Sequence, residues 1–332
     1  MLNYPDCGKL KVWFGDFGGD AFYDELTPMS PDAGELEAML FSEEFEAQFR
    51  KTLKLVCPEA WKIRTLPVTQ GTEVSVVPAR GKAYSAAGQL TLAAMLGKKH
   101  VVAGAEDRAV TLAAAKACRA LGLEMTALLS CELGANQAFV RSLQESGCQT
   151  DADTCRNYFD LVTVHAGGVS RRIPDAFLVA ATANYPDYPY PALSGLLASV
   201  YGADIRAAIG SLPDCVAVPI RDGTEAIALM KAFMDTGCRL ATVEDTVAQE
   251  YHTGESIMTR SADSGEKKNT VICPELADWW HTARVMRLGC DRLLKVDTAA
   301  WEAAGLSRRC GRAAALASER TSCKKILMAE VS

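Results

Sequence analysis

The sequence predicts an α/β protein built from two αβα sandwich domains with parallel sheets. Helix and strand patterns alternate from about residue 83 onward, and 49% of the 332 residues are hydrophobic, which is enough for a sizeable core. Repeated strand–helix–strand units favour parallel sheets, because each crossover helix covers one face of the sheet. A chain of this length suits two domains. We expect an N-terminal domain over residues 1–175, with a mobile segment at about 97–168, and a C-terminal domain over 176–332.

The individual elements follow from apolar periodicity and from glycine stops after several helices. The predicted helices cover residues 83–96, 109–121, 137–145, 191–209, 224–234, 277–288 and 299–304. The predicted strands cover residues 100–103, 123–129, 158–164, 215–220, 239–243, 292–296 and 325–331. The predicted loops cover residues 69–82, 149–156, 181–189 and 253–270.

Charge and hydropathy restrict the class of partner. The formal net charge is -6, whereas a nucleic-acid-binding protein needs a basic face to displace counterions from phosphates. No apolar run reaches the length of a membrane span. The first residues carry neither the basic nor the apolar region of a secretion signal. We therefore expect a cytoplasmic protein that binds neither nucleic acid nor membrane.

The cysteines and histidines do not form a metal-binding pattern. The twelve cysteines are spread along the chain without C-x-x-C spacing, and the four histidines are scattered, so no metal site is expected. Several cysteines, such as Cys118, Cys215 and Cys290, lie inside apolar patterns. They are interpreted as small buried hydrophobic residues in a reducing compartment.

Five segments, in the same order along the chain, are similar to segments of tryptophan synthase β chains. They are FGDFGGDAFYDELTP at 14–28, SEEFEAQF at 42–49, NYPDYPYP at 184–191, LPDCVAVP at 212–219 and RLGCDR at 287–292. Their shared order is much more specific than any one segment. The resemblance implies the fold type II architecture of pyridoxal-phosphate (PLP) enzymes, with a small amino acid as the ligand.

The resemblance also implies a cofactor lysine. That family carries it just before a helix, where this chain reads Gly81-Lys82-Ala83-Tyr84, and the G-K-K turn at residues 97–99 fixes the alignment. Lys82 is therefore the expected attachment point for PLP. A lysine at a helix start also lies near positive partial charge, which favours its neutral, nucleophilic form. The alternative interpretation is a solvated lysine at a helix end.

The chain departs from the family pattern after the strand at 100–103. The position of the family's catalytic glutamate is Gly104, and the turn that binds substrate carboxylate carries Glu106, Asp107 and Arg108. These three residues are the candidate substrate-binding residues, because an arginine can hold a carboxylate through two hydrogen bonds. The alternative is an acidic, capped helix start, in which the carboxylates favour the positive end of the helix.

A second departure lies at the turn that binds the cofactor phosphate in the family. Where the family has G-G-G-S-N, this chain reads Arg221-Asp222-Gly223-Thr224-Glu225. The resemblance implies cofactor-binding roles for Arg221, Gly223, Thr224 and Glu225. A carboxylate about 4 Å from a phosphate charge costs on the order of 4 kcal/mol at an effective dielectric constant near 20. Asp222 and Glu225 therefore predict a weakened phosphate site, which Arg221 offsets in part.

Two further departures concern the segments beside the cofactor. The stretch from Thr65 to Lys82 is shorter than in the family, and the family's final S-G-R-G-D turn is absent from the sequence. Ser332 is the remaining candidate for the serine that meets the pyridine nitrogen of PLP. Asp291 occupies a position in the region through which the family communicates with an α subunit. A homodimer is expected, with an α-type partner subunit as an additional partner.

Three functional hypotheses remain open from the sequence. The first is a divergent PLP-dependent lyase or synthase that acts on a small amino acid. The second is a non-catalytic scaffold or partner subunit that has lost PLP. The third is a PLP-independent enzyme that reuses the cleft, with Lys82, Glu106, Asp107 and Arg108 as its polar groups. In all three, ordinary tryptophan synthesis is expected to be lost, because position 104 has no carboxylate.

Overall fold

A computed structural model describes residues 38–105, 107–129, 131–152, 169, 172–179, 193–220, 224–233, 236–244, 298–321 and 323–330. The helices are α1 (Glu43–Val56), α2 (Gly81–Met95), α3 (Arg108–Leu121), α4 (Cys131–Ala135), α5 (Gln137–Glu145), α6 (Leu193–Ala208), α7 (Thr224–Phe233), α8 (Ala299–Ala303) and α9 (Arg308–Thr321). The strands are β1 (Arg64–Thr65), β2 (Glu73–Pro78), β3 (His100–Gly104), β4 (Glu124–Leu129), β5 (Gln149–Ala152), β6 (Ala176–Val179), β7 (Cys215–Ile220), β8 (Arg239–Glu244) and β9 (Lys325–Glu330).

The strands form two sheets. The larger sheet has the order β1-β2-β9-β7-β8, and the smaller sheet has the order β5-β4-β3-β6. Among the described strands, all pairings are parallel except that of the short strand β1 with β2. The predicted α/β class with parallel sheets is therefore confirmed.

The larger sheet is covered on both faces because its side chains alternate. Val77 and Leu327 point into a hydrophobic cluster that also holds residues of α2, α6 and α7. Their neighbours Val76 and Met328 point into a second cluster, which holds residues of α9 and the fully buried Trp301. The first cluster also contains residues of β3, β4 and β6, so a continuous core links the two sheets.

Most of the predicted elements are confirmed, and each end lies within two residues of its predicted position. Strand β2 lies inside the predicted loop 69–82, and β5 lies inside the predicted loop 149–156. Strand β5 is a polar edge strand with no buried residue, and β2 has only six residues, whose partners come from distant parts of the sequence. The short elements β1, β6 and α4 and the helix α9 were also not predicted. The elements predicted at 158–164, 277–288 and 292–296 lie outside the described residues.

The two sheets draw their strands from both halves of the chain. The larger sheet combines β1 and β2 with β7, β8 and β9, while β6, which begins at Ala176, belongs to the smaller sheet. The sheets therefore do not divide the chain at residues 175 and 176. The predicted boundary between two domains at residues 175 and 176 stays a prediction.

The described cysteines agree with their interpretation as small buried residues at two of the three positions named from the sequence. Cys118 and Cys215 are buried free thiols, and Cys290 lies outside the described residues. Burial raises the pKa of the Cys118 thiol to about 12 and that of the Cys148 thiol to about 11, so both are held in the unreactive protonated form. No helix in the described part of the chain has the length and apolar character that a bilayer crossing needs.

Two glycines allow α2, α6 and α7 to pack closely. A Cβ atom built at Gly88 in α2 would overlap the side chain of Leu197 in α6. A Cβ atom at Gly202 in α6 would overlap the carbonyl oxygen of Ala228 in α7 and lie 2.8 Å from Ala232 Cβ. Because the obstacle at Gly202 is backbone, relief requires moving a whole helix.

Gly202→Ala should therefore lower the free energy of unfolding by at least about 2 kcal/mol, since overpacking a dense core forces backbone shifts. Gly210→Ala is the matched control, because a Cβ atom there would have no neighbour within 4 Å. It should change stability by less than about 0.5 kcal/mol. Urea unfolding of both variants measures the difference. Equal stability of the two would show that α6 and α7 are not packed this closely.

Candidate functional site

The carboxyl ends of three neighbouring strands meet at one edge of the larger sheet. Strand β2 ends at Pro78, which pairs in register with Glu330 at the end of β9, and β7 runs parallel to β9 and ends at Ile220. Helices α2 and α7 begin shortly after β2 and β7, respectively. In α/β folds, ligands bind outside the carboxyl ends of the strands. The edge is therefore the candidate site, and Lys82 and Thr224 both lie at it.

A hydrogen bond joins the starts of α2 and α7. The N–H of Gly81 donates to the Glu225 Oε1 atom at 2.6 Å. Arg80, the N-cap residue of α2, makes no side-chain capping hydrogen bond, so the first turn of α2 is capped by a residue from another helix. Lys82 is the second residue of α2 and is half-buried. The structure therefore brings the start of α2, which includes Lys82, together with Thr224 and Glu225 at the start of α7. The cofactor-binding roles of these residues stay predictions.

Glu225 is almost completely enclosed. Its side chain is in the first turn of α7, and the residue is only 8% exposed, while Thr224 is 1% exposed. A Cβ atom built at Gly81 would lie 3.0 to 3.2 Å from the three terminal atoms of the Glu225 carboxyl group. The absence of a side chain at residue 81 thus gives the carboxyl group its place against the backbone of α2.

Tyr201 lies close to Glu225. Its hydroxyl donates to the carbonyl oxygen of Pro78 at the end of β2. Burial raises the pKa of Tyr201, and the charge of Glu225 raises it further, while the charge of Arg80 acts in the opposite direction. The carboxylate of Glu225 and the guanidinium of Arg80 are therefore both close enough to act on the same phenol.

A second tyrosine, one turn into α2, ties the helix to α1 and α6. The Tyr84 hydroxyl donates to Asp204 Oδ2 at 2.9 Å and accepts from Trp61 Nε1 at 3.3 Å. Asp204 also accepts two hydrogen bonds from the Arg50 guanidinium, at 2.5 and 2.8 Å. The rings of Tyr84 and Tyr201 are in contact, with centroids 5.1 Å apart. These contacts hold the start of α2 in a fixed position at the site.

Asp107 and Arg108, two of the three candidate substrate-binding residues, lie at the carboxyl edge of the smaller sheet. Strand β3 ends at Gly104, and α3 begins at Arg108, whose side chain is exposed. Asp107 Oδ1 accepts hydrogen bonds from the N–H groups of Ala109 at 2.9 Å and Val110 at 3.0 Å. Asp107 is thus the N-cap residue of α3, and the capping interpretation is confirmed for it.

Several residues named from the sequence lie outside the described residues. They are Glu106, Arg221, Asp222, Gly223, Asp291 and Ser332, together with the segments 14–28, 184–191 and 287–292. Their predicted roles stay predictions. Conversely, no pattern in the sequence indicated a role for Arg80, Tyr84, Tyr201 or Asp204. The partners of these residues are far away in the sequence, so no local pattern could indicate the contacts.

Known proteins resemble this chain in part of its sequence and in its fold. No family model matches the chain. Over 193 residues, the chain is 32% identical to a tryptophan synthase β chain of Mycobacterium intracellulare. The match covers 53% of this chain and 44% of the relative, so it spans less than half of the relative's length. The chain is therefore similar to a tryptophan synthase β chain over about half of its own length.

Solved structures show the same fold at low sequence identity. A threonine deaminase of T.th. superposes with a TM-score of 0.54 at 15% identity, covering 86% of this chain and 97% of that one. An L-serine ammonia-lyase of Rhizomucor miehei gives 0.56 at 14% identity, covering 82% and 93%. A pyridoxal 5'-phosphate-dependent aspartate racemase gives 0.53 at 12% identity, covering 86% and 94%. The fold is therefore that of fold type II enzymes, as the resemblance implied.

The fold implies PLP, and the described residues test whether its phosphate fits. Such a phosphate needs bare backbone amides at the start of α7. The first turn of α7 instead carries the buried Glu225 carboxylate, bound to the N–H of Gly81. A phosphate beside it would meet like charge in an enclosed place, which is strongly unfavourable. The first turn of α7 therefore does not fit the phosphate. No group of three or more metal-ligating side chains occurs within the described ranges.

The two buried tyrosines predict a loss of stability at alkaline pH. Burial raises the pKa of both Tyr84 and Tyr201 above the usual value near 10, so each favours the folded state below pH 10 and loses that contribution as the pH rises further. Above pH 10, each tyrosine should lower the free energy of unfolding by about 1.4 kcal/mol per pH unit. Urea unfolding from pH 9 to 11 measures the slope. The slope should be smaller in Tyr84→Phe, and an unchanged slope would contradict the assignment.

Proposed function

We propose that the chain is a ligand-binding or partner subunit on a tryptophan synthase β-like scaffold. It binds a small amino-acid-like ligand at the carboxyl edges of the sheets, without a resident PLP, and it does not form tryptophan. The single observation that supports the loss of tryptophan synthesis is the end of β3. Gly104 has no side chain, and the nearby carboxylate of Asp107 is engaged in capping α3. Acid–base catalysis by a positioned carboxylate typically contributes 10²–10⁴-fold to a rate.

The start of α3 supports an amino-acid-like ligand. Arg108 is exposed at the first position of this 14-residue helix, just beyond the end of β3. A guanidinium binds a carboxylate through two parallel hydrogen bonds, and the positive end of the helix adds to the attraction. Glu106 is the proposed partner for the ligand's amino group. Both roles are proposals for an α-carboxylate and an α-amine, respectively.

The proposed assembly follows from the kinship with β chains. We propose a homodimer in the cytoplasm, and an α-type subunit as a further partner. Light scattering at micromolar concentration tests pairing, because a dimer has a mass twice that of the 35.7 kDa chain. A monomer under these conditions would contradict the proposal.

The second candidate is a PLP-dependent lyase or synthase that acts on a small amino acid. One observation favours it: Lys82 is the second residue of α2, and the start of α2 is hydrogen-bonded to the start of α7. In this candidate, Lys82 attaches the cofactor, and Arg221, Gly223, Thr224, Glu225 and Ser332 contact it. A visible absorbance band in the purified protein that is lost in Lys82→Ala would favour this candidate over the first.

The unaltered chain should form no tryptophan from indole and L-serine, even with added PLP, because no carboxylate replaces the side chain missing at Gly104. Gly104→Glu should also be inactive, since the following turn has lost the family's glycine-rich sequence. Indole consumption and tryptophan fluorescence after separation provide the measurement. Tryptophan formation by the unaltered chain above the protein-free background would refute the proposed function.

A small amino acid should raise the thermal midpoint of the chain in the absence of PLP. A ligand at 100 times its Kd stabilises the folded state by about 2.7 kcal/mol. We expect the effect with at least one of L-serine, L-threonine and L-aspartate, and its loss in Arg108→Ala. Lys116→Ala is the matched control, because it removes an exposed positive charge farther along α3. If no amino acid shifts the midpoint, or if the two variants respond alike, the binding proposal fails.

A further inference from the structure

We propose that Glu225 is an internal substitute for the cofactor phosphate. Its carboxylate lies in the first turn of α7, is held against the start of the lysine helix α2, and thereby excludes the PLP phosphate from this edge of the sheet. The inference rests on the proposed use of the scaffold without resident PLP. It does not depend on which amino acid binds at α3.

A hydrogen bond holds the Glu225 carboxylate at the start of α2. The first N–H groups of a helix have no partner within the helix and form a natural site for an anion. In α2, the N–H of Gly81 is satisfied by Glu225 at 2.6 Å, across 144 residues of sequence. The Arg80 side chain supplies no cap. A phosphate at the start of α7 would therefore meet a carboxylate that this bond already holds in place.

The carboxyl group of Glu225 also fills the space beside Gly81. The Oε1, Cδ and Oε2 atoms of Glu225 would all lie within 3.0 to 3.2 Å of a Cβ atom at Gly81. The carboxyl group thus fills the volume where a side chain of residue 81 would begin. With Glu225 only 8% exposed, the place is closed to solvent as well as to an external anion.

Charge also opposes a bound phosphate. The Glu225 carboxylate already lies at the positive N-terminal end of α2, where it accepts the hydrogen bond from the N–H of Gly81. The carboxylate therefore has local compensation without a bound ligand. Repulsion between this carboxylate and one phosphate charge at about 4 Å would weaken PLP binding on the order of a thousandfold at an effective dielectric constant near 20.

The test compares PLP with pyridoxal, which has the same aldehyde but no phosphate. With either probe, the ε-amine of Lys82 condenses with the aldehyde carbon and releases one water, which gives a visible absorbance band. The full-length chain is titrated as the parent and as Glu225→Gln and Glu225→Asn. Glu225→Gln retains an acceptor oxygen for the Gly81 N–H, so a folded variant without the charge is available. Glu44→Gln, which removes a charge from an exposed residue of α1, is the matched control.

The parent and Glu225→Gln should differ in their affinity for PLP relative to pyridoxal. The parent should bind PLP no more tightly than pyridoxal, because the phosphate gains nothing. Glu225→Gln and Glu225→Asn should bind PLP at least 100-fold more tightly than the parent, with less than a threefold change for pyridoxal. Lys82→Ala combined with Glu225→Gln should show no band, and Glu44→Gln should behave as the parent.

Three results would overturn the inference. The parent could bind PLP as tightly as Glu225→Gln does, or both variants could stay colourless with PLP. Alternatively, the affinity for both probes could increase equally, which would mean that the carboxylate does not act on the phosphate. These outcomes are separate from the amino-acid proposal, whose readout is the thermal midpoint without PLP. If no amino acid raised the thermal midpoint, but the parent and Glu225→Gln still differed in PLP affinity as expected, only the proposed amino-acid ligand would be refuted.

Discussion

The hydrogen bond between the N–H of Gly81 and the carboxylate of Glu225 links the parts of the chain that define the candidate site. Helices α2 and α7 begin beyond the carboxyl ends of β2 and β7, which are separated in the sheet by β9. The bond fixes these two starts against each other at that edge. Gly88 and Gly202 allow the bodies of α2, α6 and α7 to pack closely enough for the contact to form. The position of Lys82 depends on this arrangement.

The fold and the chemistry of this chain depend on different residues. Its parallel sheets agree with the solved structures of similar fold. A scaffold can persist while its site changes, because the core and the site use different residues. The proposed loss of tryptophan synthesis depends on two residues at the sheet edges, Gly104 at the end of β3 and the buried Glu225 in the first turn of α7. The resemblance to β chains implies a catalytic glutamate at the first position and a phosphate turn at the second.

The sequence predicts the fold class well and the site only in part. Elements such as α2, β4 and β7 are evident because their sequences are rich in apolar residues over the whole element, and their burial is nearly continuous. Strand β2 was mistaken for a loop, since its stability depends on pairing with β9 at the other end of the chain. Asp107 could be anticipated as a cap from its place before a helix. The contacts of Glu225 with Gly81 and of Tyr84 with Asp204 join residues more than 100 positions apart, so no local pattern predicts them.

One measurement tests the internal anion directly. Arg80-Gly81 is the only Arg-Gly pair in the sequence, so labelling arginine carbonyl carbons with ¹³C and glycine nitrogens with ¹⁵N isolates a single amide signal. In the parent, the Gly81 amide proton should lie downfield and be protected from exchange with solvent, because it donates to a buried carboxylate. In Glu225→Ala it should move upfield and exchange rapidly. An amide with the same shift and exchange rate in both proteins would contradict the account.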